Sequence, residues 1–73
     1  MPKLPVVSGP DLVRAFERAG WVIARQRGSH VIMLKPGHIA SLSIPMHKSI
    51  APGTLRSLLR ISGITLEDML GLL

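Results

Sequence analysis

The sequence predicts an α+β fold, with helices laid against one face of a three-stranded antiparallel sheet. Three observations carry this expectation. Apolar residues recur at helical spacing near both ends of the chain, three short runs suited to strands occupy the middle, and a glycine-bearing turn separates each run from the next. A chain of 73 residues can bury only about 60% of the surface it exposes when unfolded, so a single domain spanning residues 1–73 is expected. The apolar content of 47% is almost all aliphatic and makes a compact core feasible, with Trp21 and Phe16 as its aromatic members.

Ser8 is placed to cap the first helix. Gly9, Pro10 and Asp11 form its first turn, where proline loses no needed N–H and an acid suits the helix dipole. Leu12, Phe16 and Ala19 then share one face, and Gly20 stops the helix. Strands are expected over residues 21–26, 30–35 and 39–45, joined into a meander through Gly28 and then through Pro36-Gly37. In the third strand Leu42 and Ile44 alternate with Ser41 and Ser43, giving one buried and one wet face. The second strand sets Val31 and Met33 on one side and Ile32 and Leu34 on the other, which suits the middle of the sheet or an open face that a partner covers. Residues 46–50 read as a loop. Pro52 opens a helix through residue 60, with Leu55, Leu58 and Leu59 apolar, and Gly63 ends it. Thr65 caps a short last helix, with Asp68 three residues on in the manner of a capping box. The resulting order is α-β-β-β-α-α.

Nine Lys and Arg stand against four Asp and Glu, a net charge of +5 that favours polyanions as partners. The acids are Asp11 and Glu17 near the start and Glu67 and Asp68 near the end, so the middle of the chain is free of carboxylates. That stretch holds Arg25, Arg27, Lys35, Lys48, Arg56, Arg60 and all three histidines, a pattern suited to a phosphate-binding face. No run approaches the roughly 20 apolar residues that span a bilayer, and the opening MPKLPVVSGP lacks the apolar core of an export signal. The absence of cysteine excludes disulfides and thiolate zinc sites and fits a reducing cytoplasm. Neither membrane association nor a cofactor is expected.

The scarcity of acids removes mechanisms before it suggests one. A two-metal nuclease needs several carboxylates converging on Mg²⁺, and no metal site is expected here. There is no thiol nucleophile and no serine in a G-x-S-x-G elbow. Histidine with Arg and Lys can nonetheless cleave RNA, because the ribose 2′-hydroxyl is a nucleophile already present in the substrate. An imidazole ordinarily titrates near pH 6.5, so its neutral form can accept that proton. The stretch RQRGSH suits such chemistry, since Gly28 lets backbone approach a phosphate, Ser29 adds a hydroxyl as positioning group, and Arg25 and Arg27 supply charge, with Lys35 and Lys48 behind them. His30 is then the general base. The proton donor to the leaving oxygen is left open between His47 and water.

Plainer roles compete with these. A lone histidine at a strand start is commonly structural or merely exposed, His38 beside Pro36-Gly37 reads as a polar turn residue, and His47 after Pro45 can cap or brace its loop. A non-catalytic RNA-binding module would carry the same charge pattern. A DNA-reading helix-turn-helix is disfavoured, because residues 65–73 offer Glu67 and Asp68 and no Arg, Lys, Asn or Gln, so no direct DNA binding is expected.

A series of short motifs then falls in order: Gly20-Trp21 opening the first strand, Gly28-Ser29-His30 opening the second, Pro45-Met46-His47 closing the third, then Pro52-Gly53-Thr54-Leu55-Arg56-Ser57-Leu58-Leu59 and Gly63-Ile64. With these the sequence resembles the HicA toxin family, small ribonuclease partners in toxin-antitoxin pairs, across nearly the whole chain. The resemblance implies a fold like the double-stranded-RNA-binding domain and ribosome-independent cleavage of mRNA, with His30 as the essential catalytic residue; the missing carboxylates make that cleavage metal-independent. It also implies inhibition by a HicB-type antitoxin that covers the histidine and neutralises the basic face.

Overall fold

A computed structural model describes residues 3–73; the first two residues, part of the stretch expected not to be an export signal, lie outside it. The elements are α1 (Gly9–Arg18), β1 (Val22–Arg27), β2 (His30–Leu34), β3 (Leu42–Pro45), α2 (Pro52–Ser62) and α3 (Leu66–Leu72). The strands form one antiparallel sheet in the order β1-β2-β3, so β2 is central. Order, pairing and layering agree with the predicted α+β, double-stranded-RNA-binding-domain-like fold.

Both ends of α1 are closed by its own sequence. The Ser8 hydroxyl accepts the Asp11 N–H, and the Asp11 carboxylate accepts the Ser8 N–H, each at 3.2 Å. Asp11 also takes a 2.7 Å ion pair from Arg14. The Ser8 backbone N–H, then the Ser8 hydroxyl contact and Arg14, hold the Asp11 carboxyl below its ordinary value. At the other end Gly20 enters the left-handed region (φ 98°), which lets Trp21 donate to the Phe16 carbonyl and Gly20 to that of Glu17, each at 3.0 Å. These are the two bonds of a Schellman motif, and its apolar contact is the edge-on packing of Trp21 against Phe16, 6.3 Å between ring centres. Because its N–H is taken by α1, Trp21 belongs to the helix terminator, and β1 starts one residue later than expected.

The second connection also departs from expectation. His38 donates to the Lys35 carbonyl at 3.0 Å across Pro36-Gly37, with Gly37 at φ 80°, the geometry of a type II turn. Such a turn splays the strands it joins. Residues 38–41 bring the chain back, and β3 is confined to four residues with Ile39 fully exposed.

Val31, Met33, Leu42 and Ile44 line the covered face of the sheet, between 0% and 6% exposed. Leu12, Phe16, Leu55, Leu58 and Met69 from the three helices close over them. Ile50 joins this core from what reads in sequence as a loop, and its N–H is bound to the Val7 carbonyl at 2.8 Å. The second helix runs two residues past the expected end: the Ser62 hydroxyl donates to the Leu59 carbonyl and accepts the Ile64 N–H before Gly63 ends it in the left-handed region. At α3 the Thr65 hydroxyl accepts the Asp68 N–H, but the reciprocal bond of a capping box, present at Ser8, is not made. The Arg18 guanidinium donates to the Leu72 carbonyl and so places a cation at the C-terminus of α3.

Candidate active site

The face of the sheet turned away from the helices is where the predicted residues gather. Arg27 and His30 are direct cross-strand partners, and His30 faces Pro45 on its other side. The next row of the same face is Arg25, Ile32 and Ser43. Directly opposed residues have Cβ atoms about 5 Å apart, so the Arg27 and His30 side chains rise side by side, with Arg25 one row on. All three are exposed.

The arginines reach this face because of an irregularity that the sequence did not reveal. Ile23 pairs with Met33 and Arg25 with Ile32, so β1 carries one residue more than β2 across that step. Ile23 is aligned with the covered side. Strict alternation from it would turn Arg25 and Arg27 toward the helices. The bulge at Ala24 reverses that alternation and points both guanidiniums the way His30 points.

The hairpin turn is equally specified. Gly28 adopts φ 58°, while Ser29 stays out of the positive-φ region, the pattern of a Gly-X type II′ turn. An added Cβ at Gly28 would meet nothing within 4 Å, so the requirement there is conformational rather than steric. Two bonds fix the turn: Gln26 Nε2 donates to the Gly28 carbonyl at 3.1 Å, and the Met46 N–H donates to the Ser29 carbonyl at 2.6 Å. The segment that holds Ser29 is held in turn by α1, whose first residue donates to the His47 carbonyl at 2.9 Å. Gly9 is needed for that approach, since a Cβ there would lie 2.2 Å from the Pro45 oxygen and 2.8 Å from Met46 Cα.

His47 and Lys48 follow β3 and lie at the hairpin end of the sheet, both exposed. Lys35 does not join them. It follows β2 at the strand's other end, roughly 17 Å from His30, with its ammonium group beside Gly20 at the close of α1. His38, expected as a polar turn residue, is partly buried against Trp21, with ring centres 5.0 Å apart. Toward the Lys35 end the open face turns apolar, with Val22 53% and Leu34 42% exposed beside half-buried Ile32.

The charge balance of the two layers differs: the helices set Arg14, Arg18, Arg56 and Arg60 against their carboxylates, whereas the strands carry basic groups alone. No strand contains an acid, and the four carboxylates are carried by α1 and α3. Among the described residues Arg25 and Arg27 have no carboxylate partner, and no three His, Asp or Glu side chains converge as a metal site would require. A cavity of about 410 Å³ between the N-terminal segment, α1 and Leu73 lies on the helical layer, apart from His30. The open face can therefore present an imidazole beside two free guanidiniums to an anionic chain.

Comparison with known proteins gives a family match. The family described as HicA toxin of bacterial toxin-antitoxin matches residues 9–64, from the first residue of α1 to just past α2, His30 included. No curated protein matches the chain.

Proposed function

Because the chain belongs to the HicA toxin family of bacterial toxin-antitoxin pairs, we propose that it is a metal-independent endoribonuclease that cleaves mRNA through His30. The observation that carries this reading is the outer row of the sheet, where an exposed imidazole stands directly beside one guanidinium and one row from a second. Arg25 and Arg27 neutralise the scissile phosphate and hold it against the Gly28-Ser29 turn, where Ser29 supplies a hydroxyl. Neutral His30 takes the 2′-hydroxyl proton, the 2′-oxygen attacks phosphorus, and the 5′-oxygen leaves, giving a 2′,3′-cyclic phosphate. Lys48 adds charge at the same end, while Lys35 can touch only a longer stretch of the RNA.

The inhibitor in this reading is a HicB-type antitoxin laid over the open face. Its position is supported by the apolar end of that face, where Val22, Ile32 and Leu34 adjoin the arginine rows. Such a partner would meet them with apolar and acidic side chains.

Incubation of the purified protein with RNA in EDTA tests the activity. The expected outcome is cleavage, lost in His30→Ala and blocked by a 2′-deoxy substitution at the cut site, with RNA binding retained in both cases. A protein that retards intact RNA without cutting it would instead be a binding module of the same fold.

A further inference from the structure

Cleavage by an internal hydroxyl needs a proton at the departing oxygen as well as a base at the attacking one. The groups that exchange protons readily near neutral pH are carboxylates and imidazoles. All four carboxylates lie on α1 and α3, in the layer that covers the other face. His38 sits against Trp21, at the far end of the sheet.

His47 has a different position. The bond from the Met46 N–H to the Ser29 carbonyl carries the pairing of β2 and β3 one residue beyond Pro45. Continuing the strand geometry past Pro45 puts Met46 toward the core, where it packs, and the exposed His47 on the side on which His30 stands. On an ideal ladder extended to His47, the two histidines are offset by two residue steps along the strand and one strand spacing across it, roughly 8 Å between Cα atoms. Two imidazoles at that spacing can flank a phosphodiester, one reaching each bridging oxygen. Gly9 pins the His47 carbonyl at 2.9 Å and leaves the ring in solvent.

We propose that His47 is a second catalytic residue, the general acid that protonates the leaving 5′-oxygen. The assignment rests on the nuclease reading above. In the step, His30 removes the 2′-hydroxyl proton as the bond from the 2′-oxygen to phosphorus forms. The bond from phosphorus to the 5′-oxygen breaks, and protonated His47 delivers its proton to that oxygen, which departs as a hydroxyl. His30 ends protonated and His47 neutral, and exchange with solvent resets the pair. The charged groups on the elements around His47 are Lys48 of its own loop, Arg25, Arg27 and His30 of the hairpin, Asp11, Arg14, Glu17 and Arg18 of α1, and Arg56 and Arg60 of α2. Asp11 is already engaged by Ser8 and Arg14.

A substrate that needs no acid tests the assignment. His30→Ala and His47→Ala are compared with the native protein on one RNA carrying either oxygen or sulfur at the bridging 5′ position of the mapped cut site, since a thiolate leaves without a proton. On the oxygen substrate His47→Ala is expected to be slowed about 10²- to 10⁴-fold. On the sulfur substrate it should recover to within about tenfold of the native rate, while His30→Ala stays slow on both. The rising and falling limbs of the pH–rate profile should also separate, His47→Ala losing only the basic limb. Native rates for His47→Ala on the oxygen substrate, or an equal defect on both substrates in a variant whose melting temperature is unchanged, would overturn the role of His47 alone. Failure of the native protein to cut would overturn the nuclease reading with it.

Discussion

Val31 and Met33 are 6% and 0% exposed, whereas His30 and Leu34, one position away on the same strand, face solvent. The covered face of β2 is held by aliphatic packing that is costly to perturb, and the open face is held by little besides the backbone ladder beneath it. Alternation along five residues thus separates what keeps the domain folded from the side chains that the proposed nuclease reading uses. A side chain on one face should be felt in the melting temperature, and one on the other in turnover.

The sharpest contrast is expected from His30→Ala. Activity should fall by about 10²- to 10⁴-fold, and unfolding free energy should move by no more than about 0.5 kcal/mol, measured by cleavage assay and urea titration. A large loss of stability would mean that the ring is structural and that the two faces are not independent. Met33→Ala should do the reverse, costing about 2–5 kcal/mol in urea unfolding while the remaining folded protein cuts at the native rate. Gly9→Ala probes the clasp between the faces: overpacking against Pro45 and Met46 should cost about 1–3 kcal/mol and also slow cleavage, because the Ser29 carbonyl rests on that segment. Arg27→Gln should lower the salt dependence of RNA binding by about 0.7 in the log–log slope, whereas Arg14→Gln on the helical layer should leave it unchanged.

The smallest effect concerns pH. The Ser8 N–H holds the Asp11 carboxyl below its ordinary value of 3.8 in the folded state. A depressed carboxyl contributes stability that is present above the unfolded value and lost as pH falls through the folded one. Melting temperatures of the native protein and Asp11→Asn should therefore differ at neutral pH and converge as pH is taken below 3.8. Cleavage by surviving folded protein should not distinguish the two.

Elements whose signals are local were legible in the sequence. Ser8 with Asp11, Gly20, Gly63 and the alternation of Leu42 and Ile44 each act within a turn or two of themselves, and each does what its neighbours predict. The grouping of His30 with Arg25 and Arg27 was legible as proximity in sequence but not as a shared face, because the Ala24 bulge depends on the partner strand. Lys35 looked equally close at five residues' distance, yet an extended strand carries it to the opposite end of the sheet. Ile50 and the bond from Gly9 to His47 join distant parts of the chain, and no local pattern announces such contacts. His38 is the turn residue that Pro36-Gly37 announces, closing onto Lys35, but its packing against Trp21 from beyond the end of α1 has no local signal.

The bulge makes β1 behave like a ruler with one doubled mark. Substitutions at Ala24 leave the count intact, but losing that residue would slide Arg25 and Arg27 by one notch and move both charges to the other face of the sheet, away from His30. Length, more than chemical identity, is what this edge must preserve, and a single-codon deletion there would part the arginines from His30 while leaving every residue of the outer row in the polypeptide.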